Sequence, residues 1–234
     1  MALHPVAFIR WFFGVSLLLL ILGVGTALIT YPVVVTTASR QQVLVYLLLF
    51  VLAILMYGYV ALIRTHVATP AEHIAVWQGT IWGFLCGGAW IIELIAANLV
   101  GPYFGWLNLV LYFGSATGGY LLPGLVALLV AWRAGRIGAG LQAGLLCGML
   151  GGMIIFLASA ALAPFLLAAG QQDPQTMREF QRSGLPDLTT FIVGDYLAGM
   201  IAHLWIGMIT GLGLGMLGGA IGKALAAHQR TILA

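Results

Sequence analysis

The chain has 234 residues, 62% of them hydrophobic and 6% charged, with a mean hydropathy of +1.08. Soluble domains carry about 25% charged residues, so a water-soluble globular domain is excluded. The net charge of +3 comes from basic residues spread singly between apolar runs, which argues against a nucleic-acid partner.

Six apolar segments follow in chain order, each near the roughly 20 residues that span a bilayer. The first covers about 11–35; Arg10 and the run from Trp11 to Leu22 resemble a signal peptide, but apolar character continues to Val35, as in an uncleaved span. The others cover about 43–63, 75–100, 103–132, 139–169 and 190–222, with Gly101-Pro102 breaking the third from the fourth. Between the fifth and sixth lies a polar loop, 170–189, with a short surface helix expected from Pro174 to Arg182. The expected fold is all-α: one polytopic membrane domain over 1–234, a compact bundle of six transmembrane helices with the lipid bilayer as its first partner.

An even number of spans puts both termini on one side. With the N-terminus in the cytoplasm, Arg10, Arg64, Arg133, Arg136, Lys223 and Arg230 fall inside and Arg40, Arg178 and Arg182 outside, as the positive-inside bias requires. Asp173, Glu179 and Asp187 would then be outside and Glu72 inside. Trp11, Trp77 and Trp132 fall near the inner boundary, Tyr103 and Trp106 near the outer one. A plasma or inner membrane is the expected location.

Two glycine ladders repeat every fourth residue: Gly140, Gly144, Gly148, Gly152 and Gly207, Gly211, Gly215, Gly219. A shorter one, Gly79, Gly83 and Gly87, lies on span 3. In water each glycine weakens a helix by about 1 kcal/mol, whereas in lipid small residues let backbones approach closely. Glycine-zipper packing of helices 3, 5 and 6 is the expectation. Gln78-Gly79 and Gly87-Gly88 recur as Gln142-Ala143 and Gly151-Gly152 at an offset of 64 residues, the pattern of a parallel hairpin repeat or of two glycine-rich helices converging on one composition. Cys86 and Cys147 fall inside apolar runs and read as small packing residues.

Ionisable and polar residues inside a span are costly and mark candidate sites. Glu93 on span 3 and Asp195 on span 6 fall roughly 7–10 Å below the outer surface at 1.5 Å per residue. Asn98, Asn108, Tyr112, Tyr120 and Tyr196 share that outer half. Asp195, Gly199 and His203 follow an i, i+4, i+8 pattern on one broad face. The expectation is an outward-facing polar cavity handling a small solute, proton or cation, with Glu93 and Asp195 binding it, His203 relaying it, and Asn98 and Tyr120 in the pathway. The bland alternative has Glu93 neutralised by hydrogen bonds, Asp195 capping span 6 and His203 making one interhelical bond.

Two other classes compete. A non-catalytic accessory or assembly subunit would use glycines such as Gly14, Gly23 and Gly25 on span 1 to meet other membrane subunits or a second copy. An enzyme would use Phe113-Gly114-Ser115-Ala116-Thr117-Gly118 on span 4 and Ala202-His203 with Gly207 and Gly211 on span 6. This arrangement, over two spans, resembles the rhomboid intramembrane proteases, and the resemblance implies Ser115 as nucleophile and His203 as base. The Gly-x-Ser-Gly motif of that family is absent, and span 2 lacks the histidine and asparagine of its oxyanion site. Of the histidines only His203 lies well inside a span, so paired-histidine haem ligation is not expected. No zinc spacing or phosphate loop occurs in a plausible context; no cofactor, metal or catalytic residue is expected, and an enzyme is the less favoured class.

Overall fold

The computed structural model describes residues 5–31, 40–64, 69–100 and 105–233. Eight helices follow: α1 (Pro5–Thr30), α2 (Arg40–Tyr59), α3 (Pro70–Ile95), α4 (Gly105–Ala134), α5 (Ile137–Ala161), α6 (Ala163–Gln172), α7 (Pro174–Ser183) and α8 (Leu188–Leu233). Wider π-helical turns prolong α2 over Val60–Arg64 and α3 over Ala96–Val100. Among the described residues there is no strand, and α1 to α5 and α8 are long and apolar enough to cross a membrane. Gly101-Pro102 and Tyr103 lie outside the described residues, as do the last predicted residues of span 1.

The helices start and stop for local reasons. Thr69 and Glu72 form a reciprocal capping box at the start of α3, with Pro70 in the first turn, where its missing N–H is no loss. Gly135 and Gly184 adopt φ of +65° and +70°, so α4 turns into α5, and α7 ends, through a left-handed glycine. The fifth apolar segment, expected to run unbroken from 139 to 169, is instead interrupted at Leu162: Pro164 cannot donate to the preceding turn, and α6 starts afresh with Leu162 as its cap. The sixth runs longer than expected, from Leu188 through Leu233. Its N-terminal end is capped by Asp187, which accepts from the Thr190 N–H at 2.7 Å and the Thr190 hydroxyl at 2.6 Å.

Successive long helices alternate in direction. Thr30 and Tyr31, at the C-terminal end of α1, line a cavity with Ala163 and Pro164 of α6, and Trp132 Nε1 donates to Gln229 Oε1 at 3.2 Å, so the N-terminal end of α1 and the C-terminal end of α8 lie at one end of the bundle. Helices α6 and α7 lie at the other. Helix α5 is buried nearly all round, between α3, α4 and α8, with α1 and α2 against the α5 and α8 side. Tyr57 of α2 donates to the Leu204 carbonyl at 2.9 Å, and Trp205 Nε1 returns a bond to Leu49 O at 3.0 Å.

Where α5 meets α8, main chain meets main chain. A Cβ on Gly144 would lie 2.7 Å from Gly215 Cα, one on Gly148 3.0 Å from Gly211 Cα, and one on Gly140 3.0 Å from Gly219 Cα. The two glycine series therefore face each other as antiparallel rows. A Cβ on Gly79 would lie 2.7 Å from Ala143 O and one on Gly83 2.8 Å from Leu150 Cβ, so α3 and α5 run side by side in parallel, with Gly79 of the first recurring segment against Ala143 of the second. Gly222 of α8 abuts α4 at Trp132 N and Ala131 Cβ, a contact outside the every-fourth-residue series.

Candidate functional site

Helices α3, α4 and α8 bring Trp90, Glu93, Tyr120 and His203 together. Trp90 and Glu93 are three residues apart on one face of α3. The Trp90 ring meets Tyr120 edge-on at a centroid distance of 5.8 Å and His203 at 6.0 Å. The Glu93 carboxyl lies within electrostatic reach of both the His203 imidazole and the Tyr120 phenol.

The seat for Trp90 comes from α4. Pro123 has no N–H, so the Gly119 carbonyl four residues earlier lacks its helical donor; the Cys86 thiol donates to it at 3.2 Å. Gly119 itself presents no side chain, and the Trp90 indole packs directly on it. A Cβ on Gly151 would lie 2.6 Å from Cys86 Sγ and 3.3 Å from Trp90 Cζ3, so α5 closes the same pocket from behind. Cys86 and Cys147 are both free and buried.

Two polar atoms in this cluster are buried and lack a hydrogen-bond partner: Trp90 Nε1, a donor, and Glu93 Oε2, an acceptor. A buried group left unsatisfied costs about 1–3 kcal/mol. A water molecule, free or in the shell of a hydrated cation, can accept from the indole and can donate to the carboxylate. His203 Nδ1 lies 2.8 Å from Gly199 O. A carbonyl only accepts, so Nδ1 carries the hydrogen of this bond, which leaves Nε2 as the ring nitrogen free to face a ligand.

The other candidates lie at a different level. Asp195 is exposed, two helical turns or about 12 Å along α8 from His203, and its electrostatic neighbours are Glu179 of α7 and Tyr196. Asn98 donates to Leu94 O at 2.9 Å and accepts from the Tyr196 hydroxyl at 3.3 Å, and both line a polar cavity of about 570 Å³ with Gln172, Asp173, Gln175 and Thr176. The structure thus joins Glu93, His203 and Tyr120 in one group and Asn98 with Tyr196 in another, with Asp195 beside α7. Asn108 Oδ1 is buried without a partner on α4. Ser115 donates to the Leu111 and Tyr112 carbonyls of its own helix, while the contacts of His203 are with Trp90, Glu93 and Gly199.

Trp90 is the member that sequence reading does not single out. Its spacing from Glu93 was the available signal, but a tryptophan on an apolar face reads as packing until Gly119 and His203 are placed against it. Among protein families, curated proteins and solved structures, none matches this chain.

Proposed function

We propose that the chain is an integral protein of a plasma or inner membrane, with both termini cytoplasmic, that binds and passes a proton or small cation at Glu93 and His203. The observation that carries this reading is the buried, unpartnered Glu93 oxygen beside a histidine, between three helices apolar enough to span a bilayer. An ionised carboxylate there needs a positive charge, and a neutral one needs a proton; either way the site demands what it would carry. His203 Nε2, held by the Nδ1 bond to Gly199, supplies the adjoining proton acceptor. The facing glycine rows of α5 and α8 act in this reading as a glycine zipper that seals the cytoplasmic half, with Asp195 in the outer approach. Exposed side chains such as Trp11, Ile29 and Trp106, at 64%, 82% and 76%, suit lipid rather than water.

The test is flux. The purified chain in liposomes with a trapped pH-sensitive dye, under an imposed potential, should dissipate a proton or sodium gradient, and Glu93→Gln should return the rate to that of protein-free liposomes. No flux of either ion through the unaltered chain would sink the proposal.

One observation favours a second reading, an accessory subunit of a membrane complex. A Cβ on Gly14, Gly25 or Gly58 would meet nothing within 4 Å, so the Cβ side of these glycines of α1 and α2 is open and offers a close-approach face to a partner helix. Cross-linking from cysteines placed at 14 and 25 to one defined membrane protein, at fixed stoichiometry, would support it; labelling by lipid alone would not.

A further inference from the structure

Two cavities away from Glu93 meet at a single side chain. One, of about 560 Å³, lies between α1, α5, α6 and α8 and is walled mainly by apolar groups, among them Val24, Ala27, Phe156, Leu167 and Met200. The other is the polar cavity of about 570 Å³ at Asn98 and Asp173. Tyr196 lines both. Its hydroxyl has one proton and two acceptors at 3.3 Å, Asn98 Oδ1 on the polar side and Leu166 O, whose residue lines the apolar side. The phenol therefore borders both cavities.

We propose that these cavities bind one amphiphilic, lipid-like molecule, with its apolar chain between α1, α5 and α8 and an uncharged or cationic hydrogen-bonding head beside Asn98 and Asp173. Small-molecule sites run to about 300–1,000 Å³, apolar with a few fixed polar groups, and each cavity is within that range. A soluble ligand would leave the apolar cavity unfilled, and a plain hydrocarbon would leave the amides of the polar one unused. The head's charge follows from the lining: among the described residues of the polar cavity, Asp173 is the charged one, and Arg178, within electrostatic reach of the same carboxyl, does not line the cavity. The Thr176 N–H and hydroxyl, donating at 2.7 and 2.8 Å, hold its carboxyl below the usual carboxylate range, so it is ionised at neutral pH and repels an anionic head. Entry is from the side of α1, where a Cβ on Gly23, itself part of the lining, would meet nothing within 4 Å. The site uses none of Trp90, Glu93, Tyr120 and His203.

The test uses the full chain in phosphatidylcholine nanodiscs, photolabelled with a diazirine-bearing monoacylglycerol. Labelling should be saturable and map to residues 23–31 and 156–167. Monooleoylglycerol and oleylamine should displace it, with oleate roughly tenfold weaker. Gly23→Leu puts a side chain into open space and should abolish saturable labelling without unfolding the chain. Asp173→Asn keeps a residue that caps α7 well but removes the charge, and should let oleate compete as well as monooleoylglycerol. Labelling that does not saturate, oleate competing equally with the unaltered chain, or labelling unchanged by Gly23→Leu would each overturn the proposal.

Discussion

Gly144 is where one added methyl group does the most definable damage. A Cβ there would lie 2.7 Å from Gly215 Cα, 2.9 Å from Pro123 O and 3.2 Å from Gly211 O. All three are main-chain atoms, on α8 and α4, so no side chain can turn away to make room. Restoring the Gly215 contact to about 3.5 Å requires α5 and α8 to separate by about 0.8 Å, which also loosens the neighbouring contacts at Gly140 and Gly148. Overpacking of this kind costs about 1–3 kcal/mol, and the better helix propensity of alanine returns about 1 kcal/mol or less. Gly144→Ala should therefore destabilise by about 1–2 kcal/mol. Gly213 is the control: it lies on the same helix as Gly215, yet a Cβ there meets nothing within 4 Å, so Gly213→Ala should be neutral or stabilising by up to about 1 kcal/mol. Reversible unfolding in mixed detergent micelles, followed by circular dichroism, measures both. A Gly144→Ala protein no less stable than Gly213→Ala would refute close main-chain packing of α5 on α8.

Other predictions follow from single bonds. Cys86→Val leaves the Gly119 carbonyl without a donor and should cost about 1–3 kcal/mol; Pro123→Ala restores the helical N–H, so the double variant should recover much of that loss in the same unfolding assay. Tyr57→Phe removes the bond to Leu204 O and should cost about 1 kcal/mol, with the loss seen as weaker protection of α2 and α8 in hydrogen exchange. Asp173 caps α7 with a carboxyl held below its unfolded value of about 3.9. Its contribution is thus complete above that value and lost as pH falls through the lower folded one. Amide protection over 174–183, taken relative to the intrinsic exchange rate at each pH, should hold from neutral pH down to about 4 and fall below it; protection already lost on going from neutral to mildly acidic pH would contradict the cap.

The six long helices are legible in the amino-acid sequence because a run of apolar residues long enough for a bilayer has few other stable outcomes. The break at Leu162 is less so: Pro164 marks it, but a proline inside an apolar run can also be absorbed, as Pro123 is within α4. Glycine spacing shows that a helix has a bare face and not what lies against it. The neighbour of Gly119 is Trp90, whereas Gly213 has none, and both glycines lie in similar surroundings in the chain. The candidate site shows the same limit. Counting residues from the span ends puts Glu93 and Asp195 at one depth, but the structure sets Glu93 beside His203, about 12 Å along α8 from Asp195, which lies beside Glu179. The cap at the N-terminal end of α8 belongs to Asp187, which sits just before the first turn where its oxygens can reach Thr190; Asp195 is already two turns inside the helix.

The central claim is that Trp90 and Glu93 enclose a polar site where a proton-bearing species or cation resides between α3, α4 and α8. An experimental density map of the full chain in lipid nanodiscs, detailed enough to show ordered water and ions, tests it most directly. A non-protein peak is expected within hydrogen-bonding distance of Glu93 Oε2, lost in Glu93→Gln. A dry, closed contact there, with the Glu93 carboxyl turned out to the lipid headgroups and away from His203, would contradict it.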